Sequence, residues 1–406
     1  MAKAGKAALA ACAAAIALSI GRKGAQSGNG MVPRYPDFVP EDFTPQLFEA
    51  ATADGITLRG KRYANQGAVP LILMAGICSN GNQFDLAIEE CNFALYFARR
   101  GYDVWVCNLR GTGREPCKSD GGDFSHNIQD KGIYDVPALV EQVTDATGKK
   151  PVLVGHSMGS VVSFVYMQGL SYKEENGCMR IKPDPELSRE HNRSIAAHVS
   201  IGGPVCFRWP RDDWHHWMFE TPIARLVLRG VRAMIGWMGR RQRQVQVEKT
   251  LVGFFNSMPR LGPVLFRPTF SFFANMKNMS RETYVETVLS GLSDISFKEA
   301  YQFVDAALTK DFRECAAILG DFPGEPCNYT AYAYLVEAPI LFVTGELDPV
   351  HPETVRSFGF ERVSSDKKDF RRFEGFGHLD LILGLKAKDE VFPFIADWLD
   401  RTLEVV

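Results

Sequence analysis

The chain has 406 residues, of which 46% are hydrophobic and 23% are charged, and this is enough apolar material for one large buried core. Its formal net charge of −2 predicts neither nucleic-acid binding nor polyanion binding. The nine cysteines form no C-x-x-C pair and no metal-ligand spacing, which indicates scattered thiols rather than a metal site.

The N-terminal segment, residues 1–45, differs in composition from the rest of the chain. Residues 1–36 contain five basic residues and no acidic one, and residues 7–20 form an uncharged, alanine-rich apolar run. That run is short for a membrane-spanning helix and is compatible with a signal peptide, a signal anchor, an organellar transit segment or an alanine-rich tail. We expect a targeting or anchor segment followed by a linker. Membrane-associated, secretory or organellar locations are therefore favoured, with the cytoplasm as the alternative.

Beyond residue 45, apolar runs alternate with helical patterns. Such alternation predicts an α/β fold built on a mostly parallel, doubly wound sheet. The polar stretch 172–193 predicts a surface loop. The predicted strands lie in 46–63 (two antiparallel strands), 70–75, 102–108, 151–156, 195–201, 340–344 and 369–373, and the predicted helices lie in 87–100, 135–147, 158–170 and near 387–403.

The most specific motif follows the predicted strand 151–156. There the chain reads Gly155-His156-Ser157-Met158-Gly159. This pattern builds a nucleophile elbow, a sharp strand-to-helix turn that holds Ser157 out at the strand tip. Side chains at Gly155 or Gly159 would clash across such a turn. The Met158 N–H begins the following helix and points to where an oxyanion would form.

A serine nucleophile needs a base and an acid, which in such a fold follow in the order Ser, acid, His. His378 lies in a glycine-flanked loop after the last predicted strand and is the expected base. Asp348, after the preceding strand, is the expected acid that orients the imidazole. Glu346 and Asp380 are competitors, for which a solvated loop charge is the expected role. The second oxyanion donor is expected to be the backbone N–H of Ile77.

Residues 204–337 form an insertion rich in tryptophan and phenylalanine. It follows the strand after the elbow, a position from which an insertion can cover the serine as a lid. An apolar lid suits a substrate with a long hydrocarbon part, while the alternative is that the aromatic residues only form the core of the insertion itself. We therefore expect a catalytic core of 46–203 and 338–406 with 204–337 as lid or cap.

Helical periodicity over 223–238 places apolar and basic residues on opposite faces. Such a helix can lie on an anionic bilayer, or it can pack its apolar face on the body and expose a solvated arginine stripe. The second arrangement is favoured. The apolar face contains Ile223, Val227, Val231, Met234 and Met238, and the basic face contains Arg225, Arg229 and Arg232.

The chain resembles the α/β-hydrolase lipases of the acid (gastric and lysosomal) type. The resemblance is carried by an opening hairpin at 52–58, the strand region 101–111, the helix start 133–139 and the histidine loop 377–384. Two motifs depart from the family: Ala75-Gly76 replaces the usual His-Gly, and Met158 replaces the common Gln. The central insertion also matches poorly. The resemblance therefore implies the fold and the chemistry, while it leaves the particular ester open.

Together these features predict a serine carboxylester hydrolase, with a lipase or acylglycerol esterase as the leading function. Ser157, Asp348 and His378 would act through an acyl-enzyme on a small-molecule or lipid ester, without cofactor or metal. An acyltransferase, a thioesterase or an amidase would use the same residues. A non-catalytic lipid-binding module is the alternative of another class, against which the complete triad argues. A membrane surface is a further expected partner, through the N-terminal segment or the helix 223–238.

Overall fold

The computed structural model describes residues 40, 42–321 and 324–404. Nearly all of the predicted targeting segment therefore lies outside the described residues. The strands are β1 (Gln46–Ala51), β2 (Thr57–Tyr63), β3 (Pro70–Met74), β4 (Asp103–Asn108), β5 (Val152–His156), β6 (Leu170–Glu175), β7 (Cys178–Pro183), β8 (Ala197–Ile201), β9 (Gln244–Val245), β10 (Ile295–Ser296), β11 (Ile340–Gly345) and β12 (Lys368–Phe373).

Fifteen α-helices are present in the described part of the chain. They are α1 (Phe93–Arg99), α2 (Ile128–Asp130), α3 (Val136–Thr147), α4 (Met158–Met167), α5 (Pro185–Ser194), α6 (Trp214–Glu220), α7 (Pro222–Gly239), α8 (Val247–Ser257), α9 (Gly262–Phe270), α10 (Arg281–Ser290), α11 (Phe297–Thr309), α12 (Cys315–Leu319), α13 (Pro352–Val355), α14 (Asp380–Leu383) and α15 (Ala387–Leu403). None of the described helices is long and apolar enough to cross a membrane.

Eight strands form the central sheet, in the order β1-β2-β4-β3-β5-β8-β11-β12. The six strands from β4 to β12 in this order run parallel, and β1 and β2 add an antiparallel edge. Every residue of β3, β5, β8 and β11 is buried, as expected where helices cover both faces of a parallel sheet. The predicted α/β fold with a mostly parallel, doubly wound sheet is confirmed.

Alternate residues along each central strand supply two separate cores. Leu71 and Leu73 of β3 point into one apolar cluster, whereas Ile72 and Met74 point into the other. This period of two is the reason that a continuous apolar run of five residues is needed at the centre of the sheet. The parallel arrangement brings the carboxyl ends of β3, β5, β8 and β11 to one edge.

The polar stretch 172–193 is not a surface loop. It forms the two-stranded hairpin β6–β7 and then α5. Asn176 and Gly177 connect the strands with φ values of 53° and 77°, and an Asn-Gly pair at positive φ is the preferred two-residue hairpin turn. The Asp184 side chain accepts the N–H groups of Glu186 and Leu187 and caps α5. The hairpin is polar because only Leu170 and Ile181 of its twelve strand residues are buried.

Helices α6 to α12 lie in the insertion between β8 and β11. Helix α7 packs against α11, and Val231, Met234 and Met238 of the predicted apolar face lie in or against the apolar cluster formed there. Leu228, Ile235 and Met238 are buried, whereas Ile223 and Val227 are exposed. The arginines also do not form one solvated stripe, since Arg232 binds the buried Asp305 carboxylate at 2.5 Å.

Candidate active site

Ser157 is the single residue between the end of β5 and the start of α4. Its backbone has φ 54° and ψ −117°, a strained conformation that residues with a side chain rarely adopt. The Ser157 N–H donates to the Ile201 carbonyl at 2.9 Å, which joins the turn to the end of the neighbouring β8. The strained turn therefore fixes Ser157 at the carboxyl edge of the sheet.

The two glycines around Ser157 are required by backbone contacts. A Cβ at Gly155 would lie 2.4 Å from the Ser160 nitrogen, and a Cβ at Gly159 would lie 2.1 Å from the Met74 carbonyl oxygen. Backbone atoms of packed strands and helices cannot move aside as a flexible side chain can. Only glycine therefore fits at these two positions, where β3, β5 and α4 approach one another closely.

His378 and Asp348 form a buried hydrogen-bonded pair. His378 Nδ1 lies 3.0 Å from both carboxylate oxygens of Asp348, and Oδ1 also accepts the Val350 N–H at 2.7 Å. Because an ionised carboxylate only accepts hydrogen bonds, Nδ1 carries the donated proton and Nε2 of the neutral ring is left as an acceptor. This is the tautomer that a general base needs.

Gly202 brings Ser157 and the His–Asp pair to the same place. It follows Ile201, whose carbonyl holds the Ser157 N–H, and it has φ +55°. A Cβ at Gly202 would lie 2.9 Å from His378 Nδ1 and 3.1 Å from Asp348 Oδ2. The backbone at the end of β8 thus touches the serine turn on one side and the His–Asp hydrogen bond on the other.

The loop after β3 lies directly beside Ser157. A Cβ at Gly76 would be 3.1 Å from the Ser157 Cβ, and Ile77 follows in the chain. Within the described part of the chain, neither the Ile77 N–H nor the Met158 N–H donates a hydrogen bond to a protein atom. Both donors are therefore available to a ligand at Ser157, and Met158 N–H belongs to the first turn of α4, where the helix dipole favours negative charge.

A hydrogen-bonded chain links this loop to the histidine loop. The Gly76 N–H donates to Gln83 Oε1 at 3.1 Å, Gln83 Nε2 donates to His156 Nδ1 at 3.1 Å, and His156 Nε2 donates to the His378 carbonyl at 3.1 Å. Burial, together with the neighbouring His378, holds the pKa of His156 well below its usual range. His156 is therefore neutral and can make both bonds, one as acceptor and one as donor.

Asp380 is not the solvated loop charge that the sequence predicts. It is fully buried and accepts the Gly377 and Asn275 N–H groups at 2.9 and 3.0 Å and the Asn278 amide at 3.1 Å. Burial nevertheless raises its pKa. Asp380 therefore ties the histidine loop to the insertion. Glu346 is exposed, as expected.

The insertion also contacts the histidine loop through its backbone. The Phe273 carbonyl accepts the N–H groups of His378 and Leu379 at 2.8 and 2.9 Å. Together with the Asp380 bonds, this fixes residues 273–278 against the loop that carries His378. The position of the imidazole thus depends on the insertion as well as on the sheet.

The scan against protein families matches residues 69–169 to the alpha/beta hydrolase fold. This match and the strand order of the eight-stranded sheet lead to the same fold assignment. The protein has the α/β-hydrolase fold. The matched segment contains the elbow and the loop at Ile77 but ends before the insertion, Asp348 and His378.

Relatives of this α/β-hydrolase-fold protein include lipases at distant identity. Lipase 1 of Drosophila melanogaster is 33% identical over 132 residues, which are 30% of this chain and 29% of that protein. Human gastric triacylglycerol lipase is 29% identical over 29% of this chain and 33% of its own length. Triacylglycerol lipase 2 of Arabidopsis thaliana is 21% identical over 87% of this chain and 84% of its length. The chain thus spans about a third of the first two and most of the third.

Among solved structures, a thermophilic esterase from Thermogutta terrifontis superimposes with a TM-score of 0.50 at 17% identity, over 88% of this chain and 99% of the esterase. This similarity concerns the fold. The acid-lipase resemblance of the sequence agrees with the relatives found.

Two residues of the site have only weak signals in the sequence. Gly202 stands in a Gly-Gly-Pro step after β8, which reads as an ordinary strand end. Gln83 is one polar residue among several in the loop after β3. Gln83 acts through a hydrogen bond with His156, which lies 73 positions away. Gly202 acts through its close approach to Asp348 and His378. Neither contact could be inferred from local pattern.

Proposed function

We propose that this α/β-hydrolase-fold protein is a serine carboxylester hydrolase, and more narrowly a lipase or acylglycerol esterase. The observation that carries the proposal is the meeting of the strained Ser157 turn with the buried His378–Asp348 pair at Gly202. A serine hydroxyl needs a base to become a nucleophile, and the His378 tautomer leaves Nε2 free to accept the serine proton. Residues 46–203 and 338–406 are the catalytic core in this proposal, and residues 204–337 are the lid.

In the proposed reaction, the Ser157 Oγ attacks the acyl carbonyl carbon while its proton passes to His378 Nε2. Asp348 stabilises the imidazolium that forms, through the bond to Nδ1. The negative charge on the carbonyl oxygen is stabilised by the N–H groups of Ile77 and Met158. The C–O bond to the alcohol then breaks, and His378 returns the proton to the leaving oxygen.

The resulting acyl-enzyme is an ester of Ser157. A water molecule attacks its carbonyl carbon as His378 Nε2 takes a proton from the water, and a second tetrahedral oxyanion forms at the same two N–H groups. Collapse breaks the bond to Ser157 Oγ, which regains its proton from His378. The carboxylic acid leaves, and the site returns to its starting protonation state.

Lipid esters are the proposed substrate class. Two features support this choice: the relatives are lipases, and the insertion that contacts the His378 loop is rich in aromatic side chains. Phe272 and Phe273 pack edge to face with ring centroids 4.8 Å apart, and Phe273 lies 6.4 Å from the His378 ring. An apolar lining at that position suits an acyl chain bound next to the serine.

Hydrolysis of a p-nitrophenyl ester series of increasing acyl length tests the proposal. We expect the wild type to prefer long chains and Ser157→Ala to be inactive on every ester. Ser257→Ala, an exposed serine of α8, is the matched control and should behave as the wild type. If the protein hydrolysed only short esters, the proposed function would be a general esterase and not a lipase. Turnover that survives in Ser157→Ala would overturn the mechanism, and turnover of amides or thioesters alone would overturn the ester assignment.

A further inference from the structure

Helix α7 presents a stripe of apolar side chains to solvent. Ile223, Leu226, Val227 and Trp237 have exposed fractions of 77%, 68%, 44% and 55%. Their spacing places them on one side of the helix, and the small exposed residues Gly230 and Ala233 continue that side between them. The stripe is about 20 Å long at 1.5 Å per residue.

The stripe is not the face by which α7 packs on the rest of the fold. That face carries Leu228, Ile235 and Met238, which are buried. Ile235 and Met238 share an apolar cluster with Phe297 of α11. It is also fixed by the ion pair of Arg232 with Asp305. Four large apolar side chains on the other side are thus left in water, which is unusual for adjacent residues of a soluble surface.

The chain around the stripe is strongly basic. Residues 221–281 contain eleven Lys and Arg and a single acidic residue, Glu248, within a chain whose net charge is −2. Glu248 is itself bound to Arg114 at 3.1 Å. Arg229 and Arg240 of this segment are exposed, and neither forms an ion pair with another residue in the described ranges. The apolar stripe therefore lies in a positively charged segment of the chain.

A second exposed apolar group occurs in the same basic segment. Leu261, Val264 and Leu265, at the start of α9, have exposed fractions of 59%, 61% and 60%. Arg260 and Arg267 flank them in sequence. Apolar side chains with arginines beside them thus recur on two separate helices of the insertion.

The positive charge of residues 221–281 indicates which kind of partner can cover the apolar stripe. The N-terminal residues 1–36 carry five basic residues and no acidic one, so they would be repelled by this segment. A second copy of the chain would bring two like-charged surfaces together. An anionic bilayer offers both an apolar layer for the stripe and negative headgroups for the arginines.

We propose that the α7 face formed by Ile223, Leu226, Val227, Trp237, Arg229 and Arg240 is a docking face for anionic phospholipid bilayers. The helix lies parallel to the membrane, with the leucine, isoleucine and valine side chains among the acyl chains. Trp237, which stacks under Arg241 at 4.5 Å, lies at headgroup level, where tryptophan is favoured. This proposal concerns where the protein binds and does not depend on its ester chemistry.

Cosedimentation of the full chain with vesicles tests it, in a Ser157→Ala background so that no lipid is hydrolysed. The probes are phosphatidylcholine vesicles with and without phosphatidylserine. We expect binding to the phosphatidylserine vesicles only, weakened by salt. The double variant Ile223→Ser, Leu226→Ser should lower the partition coefficient about tenfold or more, and Arg229→Gln and Arg240→Gln about fivefold each.

Matched controls lie on the catalytic core. Leu47→Ser removes a leucine with an exposed fraction of 61%, and Arg193→Gln removes an exposed arginine; both should bind as the parent does. Equal melting temperatures show that the variants are folded. Equal binding to both vesicle types, or stripe variants that bind like the controls, would overturn the proposal. So would a dimer that Leu226→Ser converts to monomer, since the stripe would then join two copies.

Discussion

Gly202→Ala tests the geometry of the site most sharply, because the residue touches both members of the His–Asp pair. The added Cβ would lie 2.9 Å from His378 Nδ1, whereas ordinary contacts begin near 3.4 Å, so the imidazole has to shift by about 0.5 Å. A misplacement of 1 Å can lower a rate about a hundredfold. We therefore expect kcat to fall about tenfold with little change in KM.

The same substitution also destabilises the fold. An alanine at φ +55° costs about 1–2 kcal/mol in the left-handed region, and the buried contact adds about 1–3 kcal/mol. Gly148→Ala is the matched control, because Gly148 has φ +68° with nothing within 4 Å of its Cβ. It should show only the left-handed penalty and full activity.

The measurements are kcat and KM on a soluble p-nitrophenyl ester and urea unfolding of the wild type and both variants. We expect that only Gly202→Ala loses kcat and that it loses more stability than Gly148→Ala. If Gly202→Ala kept the wild-type kcat and matched Gly148→Ala in stability, then the contact with His378 and Asp348 would have no role in the site.

Asp348→Asn should lower kcat about 10⁴-fold with the fold intact, since the wrong imidazole tautomer is then favoured; an effect below tenfold in steady-state kinetics would exclude Asp348 as the acid. Gln83→Leu should lower kcat about tenfold or more without raising KM, because Gly76 and His156 both lose a partner, and wild-type kcat in this variant would refute a positioning role. Burial lowers the pKa of His198 to about 4, so as the pH falls below 6.5 the unfolded chain takes up a proton at this residue before the folded chain does. The folded state therefore loses about 3 kcal/mol of stability between pH 6.5 and pH 4. His198→Asn should flatten this slope in denaturant unfolding at pH 7 and pH 5, and an unchanged slope would contradict the assignment.

The parallel sheet could be predicted because its strands are buried on both faces. Strands such as β3 and β11 therefore appear as unbroken apolar runs, which few other structures require. The elbow could be predicted for a related reason, since contacts with the Met74 carbonyl and the Ser160 nitrogen admit only glycine at positions 155 and 159. In both cases the constraint is local enough to be written into consecutive residues.

The sequence contains a signal for the hairpin β6–β7, although its composition favours a loop. Asn176-Gly177 is a strong turn signal, but only Leu170 and Ile181 of the flanking strands are buried, so the strands show no clear apolar alternation. The structure shows that a turn of this kind can define a hairpin even where burial is slight.

The burial of Asp380 and the orientation of α7 could not be predicted from local pattern. Asp380 accepts hydrogen bonds from the backbone N–H of Asn275 and the side-chain amide of Asn278, about a hundred residues earlier. Helix α7 has apolar residues on more than one side, and its inward face is selected partly by Asp305, which lies on α11. Both outcomes depend on partners from distant parts of the chain.

Covalent labelling with a fluorophosphonate, followed by intact mass and peptide mapping, tests whether His378 and Asp348 activate Ser157. Such a reagent reacts with a serine that is activated by a base and an oxyanion site. We predict one label per chain, located at Ser157, lost in Ser157→Ala and strongly slowed in His378→Ala. A label on another residue, or labelling of Ser157 at an unchanged rate in His378→Ala, would contradict the claim that His378 and Asp348 activate Ser157.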